Sequence, residues 1–483
     1  MRILETSTFL SYFVVVLIIT LFSYHKQKSD TDFVIGNRSL SFWLTALSAH
    51  ASDMSNWLFM AYPALIFTSG LFNAWVAIGL IFFMFLNWQL IAPRIRILTG
   101  KMNNLTLNAY FESRFNDQSG LIRTVAAIMT FFFYLFYVSA GLVGLGLLVH
   151  SLFGLHYFIG ITFGLGIVAF YVFIGGYVTV AWIDLFQGMF LLGVILFVPC
   201  YLLGKIGSIE TVLSAMETKN LTTQLFPSFS LKTFTQILLI SFGWGLGYLG
   251  QPHIITKFMG IKKVQEMNKA KYLGLSWQTL ALLSATAIGA IGVVLLPEGL
   301  ANPELITIEI VKTSLARFFS GLILCAILAA TTNVIAAQVL VVASSMAEDF
   351  YKRWINKNAS HIHILRISRH SVIFIAILAY LIACFKPATI YELVFYAWAG
   401  LGASFGPLIL LSLYSKKINK KGAFAGILTG GICAAIWPYF NYLFHWSMPS
   451  LIPSFFVSLL SIFLFSFFSD KKNHLQKLKG SNK

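Results

Sequence analysis

Long apolar stretches recur along the whole chain, separated by short polar segments. A transmembrane helix needs roughly 20 mostly apolar residues. The stretches that meet this length lie near 6–24, 41–62, 65–92, 121–149, 157–175, 181–203, 233–252, 273–296, 316–346, 371–386, 391–414, 422–443 and 450–468. The pattern predicts an all-α polytopic membrane protein with about thirteen transmembrane helices. The polar segment 104–118 is expected to form a short helix on the cytoplasmic surface.

Two of the predicted spans, the second and the seventh, are interrupted. Residues 51–60 carry a carboxylate, Asp53, among small polar side chains, and residues 243–252 contain four glycines and one proline. Such a density of glycine and proline disfavours a regular helix. Irregular backbone is tolerated at membrane depth only where it is buried in protein or lines a cavity. We therefore expect both segments to be unwound and to line one cavity.

The positions of the two interruptions predict an internal symmetry. They are five spans apart, and because five is odd, two units of five spans would have opposite orientations in the membrane. Interrupted helices at matching positions of inverted repeats are a sequence signature of a transporter's central site. This predicts a single transmembrane transporter domain over residues 1–483. Its predicted parts are an extra N-terminal helix (6–24), repeat 1 (41–203), repeat 2 (233–414), two C-terminal helices (422–468) and a basic cytoplasmic tail (469–483).

The composition supports the membrane assignment. The chain is 58% hydrophobic and 11% charged, and its mean hydropathy is +0.80. The net charge of +17 would suggest a nucleic-acid partner in a soluble protein. Here 27 of the 34 basic residues, Lys257 among them, fall in segments on one predicted side of the membrane, and 7 fall on the other. By the positive-inside rule we expect an integral protein of a bacterial-type cytoplasmic membrane, with the N-terminus outside, the C-terminus cytoplasmic and no nucleic-acid partner.

Charged residues inside the spans are candidates for function. Of 17 acidic residues, only Asp53 and Asp184 lie well within predicted spans. A charge at bilayer depth costs at least about 2.5–3.5 kcal/mol. Asp53 is therefore expected to bind a cation, a proton or a polar substrate. Asp184 has two interpretations, a helix-start carboxylate favoured by the helix dipole or a functional group. The polar run 329–333 in span nine is typical of contacts between membrane helices.

Three sequence motifs indicate a family. Residues 48–55 (SAHASDMS), 244–255 (WGLGYLGQPHII) and 347–352 (AEDFYK) resemble the sodium/solute symporter family, and the similarity extends from Gly36 to span twelve. The resemblance implies a leucine-transporter-like fold, with a five-plus-five inverted repeat, one extra N-terminal helix and two extra C-terminal helices. It also implies secondary active import of a small amino acid, with proline as the expected substrate, by cation symport and alternating access. The expected partners are this substrate, a coupling cation and the lipid bilayer, with sodium or a proton as the coupling ion and no organic cofactor.

The resemblance also assigns individual positions. The substrate-binding positions that it implies are Ser55, Trp57, Tyr137, Trp244, Tyr248 and Pro252. The cation-coupling positions that it implies are Asp53, Ala51, Met54, Ala330, Asn333, Val334 and Asp184, and the candidate sodium ligands among them are Ala51, Met54, Ala330 and Asn333.

The chain departs from the family pattern in span nine. Where the family has two hydroxyl side chains that complete the sodium shell, this chain has Asn333 and Val334. Val334 offers no oxygen, and Asn333 offers one amide oxygen together with a donor NH₂ group. His50, one turn before Asp53, also replaces a usual small residue. Canonical ligation of sodium therefore loses side-chain oxygens from one wall of the site.

Three interpretations of the coupling ion follow. Asn333 supplies the missing oxygen and a weakened sodium site remains. Alternatively, Asn333 donates a hydrogen bond to Asp53 and replaces the ion, which gives ion-independent uniport or exchange of a small solute. In the third interpretation Asp53 binds a proton, because burial without a cation favours the neutral carboxyl group.

Two other function classes compete with transport as interpretations of the sequence. A membrane sensor without transport would need a signalling module, and the tail 469–483 is too short for one. A membrane-embedded enzyme would need a Ser/His pair or a His/Asp metal cluster within the spans, and no such spacing occurs in the sequence. The cysteines, Cys200, Cys325, Cys384 and Cys433, are too scattered to indicate a disulfide framework or a metal site. The protein is therefore not expected to be an enzyme.

Overall fold

The computed structural model describes residues 3–24, 30–386 and 388–480, most of which are helical. The helices of the first half are α1 (Ile3–Tyr24), α2 (Asp30–Ile35), α3 (Phe42–Ala51), α4 (Trp57–Ser69), α5 (Leu71–Lys101), α6 (Leu107–Arg114), α7 (Leu121–Phe153), the stretch Tyr157–Ile206 that Gly176 divides into α8 (157–175) and α9 (177–206), and α10 (Ile209–Thr218). The helices of the second half are α11 (Leu231–Gly245), a 3₁₀ segment (Leu246–Gly250), α12 (Pro252–Gly260), α13 (Met267–Leu295), α14 (Ile306–Ser314), α15 (Arg317–Ser345), a π-helical extension (Met346–Ile355), α16 (His361–Phe385), α17 (Ile390–Tyr414), α18 (Lys420–Phe444) and α19 (Leu451–Gly480).

The all-helical prediction is confirmed. Within the described ranges, nine helices are long and apolar enough to cross a membrane, and each corresponds to one of the thirteen predicted spans. The four remaining predicted spans are α1, the short helix α8 and the two interrupted spans. The structure thus contains α3 and α4 as the halves of the first interrupted helix, and α11 and α12 as the halves of the second.

Two predicted boundaries are wrong. Span two continues to Ser69, and span three begins at Leu71 instead of residue 65, because Gly70 turns the chain at φ +83°. Spans five and six meet at Gly176 (φ 60°, ψ −157°) without the connecting loop that the sequence pattern suggested. Positive φ is readily available only to glycine, so the helix direction changes at this residue. Asp184 consequently lies beyond the first turn of α9, and its interpretation as a helix-start carboxylate is wrong.

The segments that the charge count assigns to the cytoplasm meet at one end of the bundle. Arg38 donates to the carbonyl oxygens of Thr99 and Asn104 at 2.9 and 2.8 Å. Arg123 pairs with Asp349 at 2.7 Å. We call the end defined by these five residues the basic end. The predicted cytoplasmic helix is present there as α6, although its residues 107–111 are buried against the bundle instead of lying on the surface.

The segments assigned to the outside meet at the opposite end. Lys205 donates to the carbonyl oxygen of Ser314 at 2.6 Å, and the backbone N–H of Leu71 donates to the carbonyl oxygen of Thr222 at 2.7 Å. The two predicted sets of loops are therefore separated in space, as an alternating path of the chain requires. Which end faces the cytoplasm stays a prediction from the positive-inside rule.

Neighbouring helices hold both interrupted helices in place. Helix α13 packs against α3 and α4, and α17 packs against α7 and the 3₁₀ segment Leu246–Gly250. This last contact depends on glycine, because a Cβ at Gly250 would lie 2.6 Å from the backbone nitrogen of Gly406. A short parallel bridge between Leu40, just before α3, and Ile261, just after α12, joins the two interrupted helices. Leu40 N–H donates to Gly260 O at 3.1 Å, and Lys262 N–H donates to Leu40 O at 2.8 Å.

Candidate functional site

The first interruption leaves backbone carbonyl oxygens available. Helix α3 ends at Ala51, and the N–H groups of Asp53 and Met54 both turn back to the carbonyl oxygen of His50, at 3.3 and 3.2 Å. In a continuous helix Ser55 N–H would donate to Ala51 O, but here it donates to Asp53 O at 3.1 Å. The Ala51 carbonyl therefore accepts no hydrogen bond from any described residue. A carbonyl oxygen free at a helix C-terminus is a suitable ligand for a cation.

In the second interruption, side-chain donors bind the backbone carbonyl oxygens that lack helical hydrogen bonds. Pro252 has no N–H, so it cannot donate to the carbonyl oxygen of Tyr248 as helix geometry would require. Asn87 Nδ2 donates to that oxygen at 2.9 Å. Gln251 Nε2 donates to Gly247 O at 3.2 Å, which replaces the helical bond of its own backbone N–H. Side-chain donors thus allow this backbone to remain unwound inside the membrane.

One hydrogen-bonded chain connects the two interruptions. The Tyr248 hydroxyl donates to the Asp53 carboxylate, and Gln278 Nε2 donates to the Tyr248 hydroxyl at 2.9 Å. Asp53 is 6% exposed, whereas Tyr248 and Gln278 are completely buried. None of the ion pairs among the described residues includes Asp53. An ionised Asp53 would thus lack an ion-pair partner among the described residues, which favours a bound cation or proton.

A small aromatic cavity lies between the interruptions. The Trp57 and Trp244 rings are 5.1 Å apart, and Tyr248 meets Trp398 edge-on at 5.0 Å. The residues that line this cavity are Asp53, Met54, Trp57, Leu80, Tyr137, Trp244, Tyr248, Val394 and Trp398. The structure therefore brings together six of the site residues proposed from sequence.

Three lining residues were not predicted from sequence. Leu80, Val394 and Trp398 were read only as parts of apolar spans. Trp398 also donates from Nε1 to the carbonyl oxygen of Trp244 at 2.8 Å, so it supports the second interruption as well as lining the cavity. The signal that could have identified it is its position beside the small-residue run Ala399-Gly400, which indicates a close approach of two backbones.

Two predicted substrate residues lie outside the aromatic cavity. The Ser55 hydroxyl accepts the backbone N–H of Trp57 at 3.1 Å and so helps to begin α4. Pro252 is the first residue of α12 and lines a different cavity, on the side of the basic end. Direct contact of Ser55 or Pro252 with a substrate stays a prediction.

The span-nine positions lie on α15 and are buried. Ala330, Asn333 and Val334 are at most 2% exposed. Neither Oδ1 nor Nδ2 of Asn333 has a hydrogen-bond partner among the described residues. The alternative in which Asn333 donates to Asp53 is therefore not supported by this geometry. Burying an amide without partners is costly, and Asn333 Oδ1 remains available to a cation.

Asp184 belongs to a separate buried ion pair. Lys257 Nζ lies 2.7 Å from Asp184 Oδ2, with side-chain exposures of 3% and 0%, and the Ser48 hydroxyl donates to the same carboxylate. The pair joins α9, α12 and α3 near the basic end. The assignment of Lys257 to a cytoplasmic loop is wrong, because its ammonium group lies inside the bundle. No described hydrogen bond connects Asp184 to Asp53, so a link of Asp184 to cation use stays a prediction.

His50 is neutral in this arrangement. Trp88 Nε1 donates to His50 Nε2 at 3.1 Å, and the accepting nitrogen cannot carry a proton. The proton of the imidazole is thus assigned to Nδ1 from its hydrogen bonding. His50 therefore does not supply the positive charge that Asp53 lacks.

No catalytic metal centre is evident in the described part of the chain. Over residues 3–24, 30–386 and 388–480, no group of three or more His, Cys, Asp or Glu side chains is arranged to hold a metal ion. The polar groups of the site are instead one carboxylate, hydroxyls, amides and backbone carbonyls. These groups can bind and release a solute and a hard cation.

Known proteins resemble this chain over nearly its whole length. A family model described as the sodium:solute symporter family matches residues 33–430. The high-affinity proline transporter PutP of Bacillus subtilis is 37% identical over 93% of this chain and 95% of its own length. Sodium/proline symporter 2 of Staphylococcus saprophyticus is 37% identical over 95% of this chain and 92% of its own.

Solved structures share the fold. A Na⁺-coupled sialic acid symporter in a substrate-bound outward-open state superposes with a TM-score of 0.80 at 19% identity, over 96% of this chain and 98% of the other. The nucleobase-cation-symport-1 family transporter Mhp1 in a closed conformation gives a TM-score of 0.53 at 16% identity, over 91% and 94%. The predicted leucine-transporter-like fold is therefore confirmed.

Proposed function

The chain belongs to the sodium:solute symporter family, and on this premise we propose that it imports proline together with a cation across a bacterial cytoplasmic membrane. The observation that carries the proposal is the position of Asp53. Its carboxylate lines the aromatic cavity and is bonded to Tyr248 of the second interruption. The substrate in the aromatic cavity and a cation at Asp53 would therefore bind next to each other. Coupled binding of a substrate and a cation requires such an arrangement.

The aromatic cavity supports a small and largely apolar substrate. The residues that line it are mostly aromatic and aliphatic, and Asp53 is the one charged residue among them. Four aromatic rings, those of Trp57, Tyr137, Trp244 and Tyr248, could enclose a pyrrolidine ring. The dipole of α4 would favour the substrate carboxylate near the start of this helix. The relatives at 37% identity are named as proline transporters.

A weakened sodium site is the form of coupling that the residues favour. Asp53 would contribute charge, Ala51 a carbonyl oxygen that accepts no described hydrogen bond, and Asn333 one amide oxygen. Val334 contributes none, so the shell has fewer side-chain oxygens than one with a hydroxyl pair. We therefore expect sodium to stimulate transport only weakly.

A proton is the second candidate ion. The observation that favours it is the sole described partner of the Asp53 side chain, a neutral tyrosine hydroxyl. A carboxyl group that is buried without a positive partner can exchange a proton instead of a metal ion. Transport that responds to a proton gradient in the absence of sodium would select this alternative.

The transport cycle would use relative motion of the two predicted repeats. Residues 41–203 would move against residues 233–414, with the two interruptions as the fixed site between them. With the basic end in the cytoplasm, the C-terminus would also be cytoplasmic. A reporter fused after Lys483 should therefore be active only as a cytoplasmic reporter, and an external readout would overturn this orientation.

The substrate assignment is tested by ligand-dependent stability. A ligand that binds only the folded state raises the apparent free energy of unfolding by RT ln(1 + [L]/Kd). Proline should raise the unfolding temperature of the purified protein more than glucose or sialic acid does. The variant Trp244→Ala, which removes one wall of the cavity, should lose this response. Absence of any response to proline across a series of sodium concentrations and pH values would reject proline as substrate and would favour a sensor or another solute.

A further inference from the structure

A groove on the outer surface of the bundle lies between the starts of α7 and α18 and the side of α19. We call it the C-terminal groove. Its rim includes Leu121 and Phe465, which are 52% and 54% exposed. Two residues after Leu121, Arg123 belongs to the basic end. The groove therefore lies at the basic end, on a surface that the surrounding bilayer can reach.

The residues of α18 define the length of the C-terminal groove. Lys421, Ala425 and Leu428 line it at intervals of four and three residues, so they share one face of this helix. A Cβ at Gly431 would lie 2.6 Å from Met129 Sδ of α7, so the two helices are in close contact there. At 1.5 Å per residue, the distance from Lys421 to Gly431 is roughly 15 Å. The groove thus runs from a basic mouth along an apolar wall to the contact of α7 with α18.

Close packing fixes the position of α19 against α18. A Cβ at Gly422 would lie 2.0 Å from Ser466 Oγ, and one at Gly426 would lie 2.2 Å from Ile462 Cγ1. Asn419 Nδ2 also donates to Ser466 O at 3.0 Å. Small residues at this spacing allow membrane helices to approach closely. The walls that α18 and α19 contribute are therefore held in place without a ligand.

The mouth of the C-terminal groove is positively charged. Lys420 and Lys421 line it, and neither belongs to an ion pair among the described residues. The acidic residue of the lining, Asp117, is 4% exposed. Its carboxylate accepts the backbone N–H groups of Ser119 and Ile122 at 3.2 and 2.9 Å, so it caps the start of α7. Two lysines against one carboxylate leave the lining with a net charge of +1.

The charge and the shape together favour an amphipathic anion. Residues 416–421 contain four lysines and no acidic residue, and the tail 469–483 contains five lysines and one aspartate. The basic mouth would repel this tail, so the tail does not suit the groove. An anionic phospholipid fits both parts, because its phosphate can meet the lysines and its acyl chains can follow the apolar wall. Basic pockets between membrane helices commonly bind such head groups.

We propose that the C-terminal groove binds one anionic phospholipid, with its head group at Lys420 and Lys421 and its acyl chains along Phe424 and Leu428. The lipid contacts α7, which carries Tyr137 of the aromatic cavity, and α18, which packs against α17. The inference is independent of the proposed substrate and coupling ion, because the groove and the aromatic cavity share no lining residue.

The test is the retention of lipid by the purified full-length protein in detergent, measured by native mass spectrometry. Phosphatidylglycerol and phosphatidylethanolamine with the same acyl chains are offered in equal amounts. We expect one equivalent of phosphatidylglycerol to bind in preference to phosphatidylethanolamine. Equal retention of the two lipids by the unaltered protein would overturn the proposal, because it would show that the groove does not recognise an anionic head group.

Two pairs of lysines separate the groove from general surface charge. A lysine beside an anionic lipid contributes roughly 5-fold in affinity, or about 30-fold for two. Lys420→Gln with Lys421→Gln should therefore raise the dissociation constant for phosphatidylglycerol by about 30-fold. Lys262→Gln with Lys263→Gln removes the same charge from another exposed pair of lysines and should leave the constant unchanged. An equal loss of affinity in both double variants, or no loss in the first, would overturn the proposal.

A steric variant tests the apolar wall without changing the charge. Leu428→Trp enlarges a partly buried side chain of the groove and should reduce the retention of phosphatidylglycerol. Ile432→Trp is the control, since Ile432 is 45% exposed one turn further along α18 and does not line the groove. An unchanged unfolding temperature in lipid-free detergent shows that each variant is folded. If a folded Leu428→Trp retained the lipid as well as the control, the groove would not be the lipid site and the proposal would be wrong.

Discussion

The two interrupted helices differ in how the polar groups of their unwound backbone are hydrogen-bonded. In the second, Asn87, Gln251 and Trp398 donate side-chain hydrogen bonds to the carbonyl oxygens of the unwound residues. In the first, the backbone folds back on His50, and the Ala51 carbonyl oxygen accepts no described hydrogen bond. The first interruption also carries Asp53, which the described ion pairs do not include. Side chains thus satisfy the backbone carbonyl oxygens of the second interruption, whereas the first interruption leaves oxygen atoms available to a ligand.

This difference suggests that the second interruption binds the substrate and the first binds the cation. A backbone whose polar groups are satisfied by side chains is held in one conformation and can present Trp244 and Tyr248 as a fixed wall for substrate. A backbone with free oxygens and an uncompensated carboxylate gains most from a bound cation. The Tyr248–Asp53 hydrogen bond joins the two, so occupancy of one side should affect the other.

The largest expected effect comes from removing the charge of the first interruption. Asp53→Asn keeps an oxygen that can accept from Tyr248 but removes the carboxylate. Losing one member of a buried charged interaction costs about 2–5 kcal/mol, or roughly 30- to several-thousand-fold in affinity. Cation-dependent proline uptake should fall to background in this variant. Tyr248→Phe, which keeps the charge and removes only the hydroxyl, should lose less, and an unchanged cation response in Asp53→Asn would refute the role of Asp53.

A smaller effect is expected from the support of the second interruption. Asn87→Leu leaves the Tyr248 carbonyl oxygen buried without its donor, because Pro252 cannot replace it. An unsatisfied buried acceptor costs about 1–3 kcal/mol, so the unfolding temperature should fall and proline binding should weaken. Asn73→Leu is the matched control, since Asn73 also donates to a carbonyl oxygen, that of Ser69 at 3.1 Å, in an exposed position. Equal stability of the two variants would show that the Asn87 hydrogen bond does not hold the unwound segment.

The smallest expected effect concerns Asn333 and Val334 of α15, which the resemblance assigns to the sodium shell. The double change Asn333→Ser with Val334→Thr would supply two hydroxyl oxygens where the chain now has one amide oxygen. At about 0.5–1.5 kcal/mol for the added interaction, the sodium concentration for half-maximal uptake should fall roughly 2- to 10-fold. Val334→Thr alone should give part of the gain, and adding Asp53→Asn should abolish it. Strong sodium-driven uptake by the unaltered protein would contradict the idea of a weakened site.

The sequence predicted the two interruptions because their chemistry is local. Four glycines with Pro252, and a carboxylate within an apolar span, are visible without any tertiary structure. The side chains that support the interruptions were missed, because Asn87 and Trp398 act on backbone that lies 161 and 154 residues away in the sequence. Lys257 was misplaced for a similar reason. The charge count treats every basic residue near a span end as a loop residue, whereas the partner of Lys257 is Asp184 on another helix.

The repeat symmetry and the sodium ligands could be predicted from the sequence only in part. The position of both interruptions follows from the sequence, but the repeat boundaries at 41–203 and 233–414 stay a prediction. The free carbonyl of Ala51 could not be read from sequence, because it depends on which N–H groups turn back to His50. The departure at Asn333 and Val334 was visible in the sequence, but only the structure shows that the Asn333 amide has no described partner.

The central claim is that the first interruption couples a cation to proline uptake through Asp53. The most direct measurement is the uptake of labelled proline by proteoliposomes under separately imposed sodium and proton gradients. We expect an inward sodium gradient to accumulate proline above its equilibrium level, weakly in the unaltered protein and not at all in Asp53→Asn. The account would be contradicted if proline reached only its equilibrium level under the sodium gradient and also under the proton gradient. Accumulation that survives Asp53→Asn would contradict it as well.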